Sequence, residues 1–217
     1  MLTVETAPLN TTNIVGFDTI AKLDAVAASR LVDAGLSFGV RYVALGAPAT
    51  RDLDDLELDA LTDAGLAMMA VQYARTDHWN AITGLADGKA AARNALAAGF
   101  PPDANLWCDA EGAFSNADVA IVYGAAWYEG ATAEGCTELG IYVGAGFAPP
   151  LSESELFHGL PFRRYWRSLS HVQNVGTRGY QMLQLYPDDQ VIAGVRVDLD
   201  VVQSDYLGSR PRWAVKV

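Results

Sequence analysis

Cysteine, histidine and lysine are scarce in this chain: of its 217 residues, two are cysteine and three histidine, and the lysines are Lys22, Lys89 and Lys216. Cys108 and Cys136 are too few for a disulfide framework and stand in no metal-type spacing, so they read as buried filler. His78, His158 and His171 offer no two ligands at suitable spacing, which leaves a zinc or two-metal hydrolase without support; no metal is expected. None of the lysines falls inside a strand-like run, which removes the nucleophile of a Schiff-base aldolase. Positive charge is short overall, 15 basic residues against 26 acidic ones for a net charge of −11. Such a balance argues against nucleic acid as a partner. The small basic-aromatic cluster Arg163-Arg-Tyr-Trp-Arg167 is better explained by pairing with nearby acids.

Other signatures are missing as well. No apolar run approaches the roughly 20 residues of a membrane span, so no membrane insertion is expected. The first ten residues lack a charged segment followed by an apolar one; no secretory signal is expected there, and synthesis is expected in the cytoplasm. Gly144-Ala-Gly146 lacks the third glycine of a dinucleotide fingerprint and is trailed by Pro149-Pro150. No Gly-Xaa-Ser-Xaa-Gly elbow occurs. No cofactor is expected.

What the chain does have is rhythm. Apolar residues make up 51% of it, which excludes a disordered class. Short β-branched or aromatic runs alternate with longer Ala/Leu/Asp-rich stretches. The runs are 14–18, 38–45, 67–73, 104–109 and 139–143, with helices predicted over about 20–34, 53–64, 80–99, 116–134 and, more weakly, 153–158. Three further runs, 163–169, 180–185 and 195–202, follow with no convincing helix between them. Alternating βα units imply a mainly parallel sheet. Eight strands in so short a chain imply closure, giving a TIM-like α/β barrel of five βα units followed by three nearly bare strands. An open doubly wound sheet is the alternative. Residues 1–13 read as an N-terminal extension and 14–217 as a single domain.

In such barrels the chemistry sits at the carboxyl ends of the strands. Read one by one, those ends supply Asp18, Arg41, Tyr73, Asp109-Ala-Glu111, Tyr142, Trp166, Gln184 and Asp198-Leu-Asp200. Residues two apart on a strand share a face, so Asp109 and Glu111 form a carboxylate pair. Separated in pKa by their surroundings, two such groups can cleave a glycosidic bond, one as acid and one as stabiliser or nucleophile. In the last run Arg196, Asp198 and Asp200 share one face, opposite Val195, Val197 and Leu199. Three charges on one face mark either a solvated edge or a polar cavity, and a closed barrel leaves the cavity. Tyr73, Tyr142 and Trp166 beside acids suit stacking on sugar rings, and Gln184 suits hydrogen bonding to a hydroxyl or acetamido group.

The ordered set Gly16-Phe-Asp18, Arg41-Tyr42, Asp109-Ala-Glu111, Gly140-Ile-Tyr142, Tyr165-Trp166, Gln184-Leu-Tyr186 and Val197-Asp-Leu-Asp200 resembles glycoside-hydrolase-like domains related to family 25 lysozymes. Within that group it looks closest to the subset of actinobacterial secreted and phage proteins. The resemblance implies Glu111 as general acid, titrating above the ordinary carboxyl range, and Asp109 as the group that steadies positive charge or an intermediate. It places Asp18 and Asp198 at the −1 sugar subsite. Peptidoglycan, cut at the β-1,4 bond after N-acetylmuramic acid, is the implied substrate, and a phage particle or export machine the implied partner in delivery to the wall. The alternative is a catalytically inactive glycan-binding or structural barrel. Three departures stand out: Thr19-Ile20 after the first Asp, Ala74-Arg75 after Tyr73, and Asp200 where lysozymes more often carry Asn.

Overall fold

Every described helix opens on Asp or Asn and is followed by Gly. In a computed structural model describing residues 1–8, 14–109, 111–112, 116–144, 159–169 and 179–217, the helices are α1 (Ala25–Asp33), α2 (Asp55–Asp63), α3 (Ala81–Ala97) and α4 (Ala117–Ala133). Asp24, Asp54, Asn80 and Asn116 accept the free N–H groups of the first turns. Gly35, Gly65, Gly99 and Gly135 take φ between +91° and +101° just past the ends, where a side chain would be strained. The helix expected over 153–158 lies outside the described residues, as do His158 and His171.

The first six strands are β1 (Leu2–Thr6), β2 (Val15–Thr19), β3 (Phe38–Val43), β4 (Ala67–Gln72), β5 (Leu106–Asp109) and β6 (Leu139–Val143). The remaining five are β7 (Arg164–Ser168), β8 (Met182–Gln184), β9 (Gln190–Ile192), β10 (Val195–Val202) and β11 (Arg212–Lys216). β2 through β8 pair in parallel in sequence order, and β10 closes the ring between β8 and β2, antiparallel to both. The result is a closed eight-stranded α/β barrel. The eighth strand is reversed because the chain from β8 to β10 holds only the short hairpin strand β9, and a parallel return needs a crossover of a dozen or more residues.

Closure divides the apolar residues into two layers by the two-residue alternation. Phe17, Met68, Leu106, Ile141 and Tyr165 face outward into a core shared with Leu31, Leu58, Leu61 and Trp127 of the helices. Phe38, Val40, Met69, Val71, Trp107, Trp166 and Met182 fill the ring itself.

The two ends of the chain complete the barrel floor. β11 wedges beside the lower end of β4, where Ala214 pairs with Met68. It also reaches β5, Asn105 N–H donating to the Arg212 carbonyl at 2.8 Å and Arg212 N–H to Asn105 Oδ1 at 2.6 Å. β1 pairs with β11 along its whole length, so residues 2–6 belong to the sheet rather than to an appended extension. Trp213 stacks on Phe38 at 5.6 Å and seals the interior from below. Trp213→Ala is expected to cost about 3–5 kcal/mol by opening that seal; urea unfolding checks it, and a loss under 1 kcal/mol would show that the tryptophan is no plug.

Candidate active site

Above the apolar filling the inward-facing positions turn polar. β2 contributes Asp18, β3 Tyr42, β5 Asp109 with Glu111 just beyond it, β6 Tyr142, β8 Gln184 and β10 Asp198. The ring's register sets these side by side: Asp18 lies directly across from Asp198, Asp109 beside Tyr142, and Gln184 across from Asp200. A cleft of about 300 Å³ opens over Asp18, Tyr42 and Asp198, walled by Asp188, Asp189 and Arg196 of the segment above the mouth.

A hydrogen-bond chain fixes the floor of this mouth. Tyr142 Oη donates to Gln184 Oε1 at 2.6 Å, which turns the amide so that Nε2 donates to Asp18 Oδ2 at 2.8 Å and to Asp198 Oδ2 at 3.4 Å. Tyr42 Oη donates to Asp18 Oδ1 at 3.3 Å. Trp166 Nε1 donates to Asp200 Oδ1 at 2.9 Å. Glu111 N–H closes a short turn onto Asp109 Oδ1 at 3.0 Å. Asp198 also accepts the backbone N–H of Asp189, anchoring the hairpin over the cleft.

Electrostatically the mouth is one-sided. Burial pushes the Asp18 carboxyl up to about 7, with the charge of Asp198 adding to the effect and the Gln184 and Tyr42 bonds opposing it. Burial, then the neighbouring Glu111, holds Asp109 well above the usual carboxyl range. Asp198 and Asp200 are raised as well, again chiefly by loss of water. The Tyr42 phenol feels Asp18, Asp109 and Glu111 together and is raised in turn by burial and by those charges. A closed ring thus brings four carboxyl groups from three elements and a following loop around one phenol.

Several expected ligand-contacting residues lie elsewhere. Arg41 is on the outer face of β3, wholly enclosed: Nε meets Glu57 Oε1 at 2.8 Å, Nη2 the Arg51 carbonyl at 3.1 Å, and Nη1 the Thr19 carbonyl. It ties α2 to the back of the barrel, since the odd positions of β3 point away from the mouth. Tyr42, its neighbour, is the residue the expectation missed. Trp166 is not an open platform but part of the filling, packed between Tyr142, tilted against it at 4.5 Å, and Trp107, edge-on at 5.9 Å. Asp200 lies below the rim, with none of its surface exposed, because β10 descends into the ring. Tyr73 is half-buried at the mouth, its ring against Tyr42 at 4.7 Å and Arg51 over its face at 4.8 Å.

Fold and site together define a glycoside-hydrolase-like barrel. The chain belongs to the Rv2525c-like, glycoside hydrolase-like domain family, whose model matches residues 29–194. It is similar in structure to the Mycobacterium tuberculosis Tat-secreted protein Rv2525c in complex with L-tartrate (TM-score 0.67, 18% identity, 88% of this chain and 95% of that one). It is also similar to the bacterial lysozyme of Streptomyces coelicolor (TM-score 0.65, 16% identity, 91% and 95%). A third similar structure is the modular autolysin LytC of Streptococcus pneumoniae in complex with synthetic peptidoglycan ligand (TM-score 0.66, 12% identity, 87% and 46%). No curated protein matches the sequence. Among the described residues no helix is long and apolar enough to cross a membrane.

The raised carboxyls set the sign of the stability profile. A carboxyl with a higher pKa folded than unfolded binds its proton more tightly in the native state, so stability falls as pH rises from about 4 through the folded value, near 7 for Asp18. The melting temperature is expected to drop by several degrees between pH 5 and pH 7.5, and Asp18→Asn to flatten that slope. Scanning calorimetry across this range decides it; a wild-type melting temperature that climbs with pH would contradict the assignment.

Proposed function

We propose that this protein is a glycoside hydrolase acting on bacterial cell-wall peptidoglycan, with Glu111 as general acid and Asp109 as its partner. The observation that carries the reading is the convergence of Asp18, Asp109, Glu111 and Asp198 on one mouth above a water-excluding apolar floor. Of the pair, Asp109 is the enclosed one and Glu111 the more exposed, which suits Glu111 to reach a leaving oxygen and Asp109 to act from beneath. The Glu111 carboxyl and the Tyr142 ring fill the space that a side chain at Gly144 would take, so that glycine leaves the acid room over the mouth.

In this mechanism Glu111 gives its proton to the glycosidic oxygen as the bond breaks. Positive charge then gathers on the ring carbon and oxygen, and Asp109, with the other acids around it, steadies that charge or a substrate-derived intermediate. Asp18 and Asp198 line the −1 subsite with Tyr42, and the Tyr42–Tyr73 pair offers an aromatic wall for a sugar face. Gln184, its amide already spent on Tyr142, Asp18 and Asp198, orients the two aspartates rather than the ligand. The peptidoglycan ligand of LytC supports the substrate class, and the Tat secretion of Rv2525c supports action outside the membrane. A phage particle or an export machine would serve the same delivery.

Glu111→Gln is expected to lower release of reducing ends from purified wall material by about 10²–10⁴-fold, with circular dichroism and melting temperature unchanged. Wild-type protein that binds wall glycan but releases no reducing ends would instead assign a binding-only barrel.

A further inference from the structure

Trp79 is the one tryptophan that the apolar layers do not absorb. Trp107, Trp127, Trp166 and Trp213 are all buried, whereas Trp79 is half-buried on the segment that leaves β4 at the mouth end of the barrel. Part of its ring packs on the outer core, where it meets Tyr123 of α4 at a steep angle with centroids 4.7 Å apart. Tyr123 is itself fixed, its Oη donating to Asp87 Oδ2 at 2.9 Å. The indole therefore has a firm backing and a remaining surface that meets solvent.

The segment holds that ring in place. His78 takes φ +55°, a left-handed conformation uncommon outside glycine. Two bonds secure it: the His78 carbonyl accepts from Thr83 Oγ1 at 2.6 Å and from Asn80 Nδ2 at 3.0 Å. Asn80 and Thr83 also form the capping box of α3, so the start of that helix fixes the chain on both sides of Trp79.

Its place beside the acid pair gives the ring a role. A Cβ built on Gly112 would lie 3.8 Å from Trp79 Cζ2, so the indole edge reaches the residue next to Glu111. β5, which carries Asp109 and leads to Glu111, stands half-way round the ring from β10 and its Asp198. With Asp18, Asp198 and Tyr42 around the −1 sugar, the proton given by Glu111 goes to the oxygen that departs with the next sugar. That sugar lies beyond Glu111 as seen from Asp198, on the side where Trp79 stands.

We propose that Trp79 is the stacking platform of the leaving-group subsite, taking the apolar face of an N-acetylglucosamine ring whose 4-oxygen Glu111 protonates. The inference deepens the hydrolase reading and rests on it for the name of the subsite. A pyranose chair presents axial C–H groups on one face, and an indole is a flat apolar surface that matches them. In wall glycan cut after N-acetylmuramic acid, the sugar beyond the bond is N-acetylglucosamine. It bears no lactyl or peptide branch to hold its face away from a flat ring.

Trp79→Leu tests the platform, since leucine keeps apolar bulk against Tyr123 and removes the flat surface. Its KM on wall glycan is expected to rise about tenfold while kcat stays within about threefold, because stacking is made before and during bond breaking alike. Trp79→Phe is expected to recover most of that loss. An unchanged KM in active, folded Trp79→Leu, or a loss that phenylalanine does not restore, overturns the platform. A second measurement needs no turnover and carries the test if Trp79→Leu does not fold. Soluble, uncrosslinked wall glycan strands added to Glu111→Gln are expected to shield Trp79, the one half-exposed indole, from acrylamide quenching of its fluorescence. Quenching that the strands leave unchanged overturns the platform. Shielding in a protein whose wild type cuts no glycan keeps the stacking surface and sinks only the hydrolase reading.

Discussion

The site depends on a plug. Phe38, Met69, Trp107, Trp166 and Met182 fill the barrel so completely that the acids of the mouth can be hydrated only from above. A carboxylate in that position has lost much of its water and gains little from below beyond single hydrogen bonds from Gln184, Tyr42 and Trp166. This is why Asp18, Asp109, Asp198 and Asp200 hold their protons more tightly than exposed carboxyls would. It is also why Trp213, distant from the chemistry, matters to it: a floor open to water would give the acids a second route to solvent and relax them toward ordinary behaviour.

The same chain shows another way to bury charge. On the outer face of the barrel Arg41 and Glu57 sit enclosed as a pair, with the guanidinium satisfied by two backbone carbonyls and Glu57 taking the Leu23 N–H at 2.8 Å. A cation is therefore placed one residue away from Tyr42 and turned to the far side of its strand. Inside the ring, acid faces acid instead. Structural stability alone would favour the arrangement of the outer face, so the acids of the mouth are better understood through proton chemistry than through folding.

Much of this was legible in the sequence, and the misses have physical causes. The eight ring strands were readable because β-branched and aromatic runs bounded by Gly and Asp have few other solutions. Arg41 reads as a mouth residue because β3 is buried on both faces; Phe38-Gly-Val-Arg-Tyr-Val43 carries no polar-apolar alternation to say which side is inward. Tyr42 was recoverable from parity with Phe38 and Val40 only once those were known to fill the ring. β1 and β11 escaped notice because each is stable only against the other end of the chain, a contact no local window contains. Tyr142 and Trp166 both point into the ring, but depth along a strand is not written in periodicity, and Trp166 is enclosed in the filling.

The reversed strand β10 governs the division of labour among the last two acids. Had β10 run parallel to its neighbours, Asp200 would have met the rim and Asp198 the interior. Running downward, it presents Asp198 opposite Asp18 and sinks Asp200 onto Trp166.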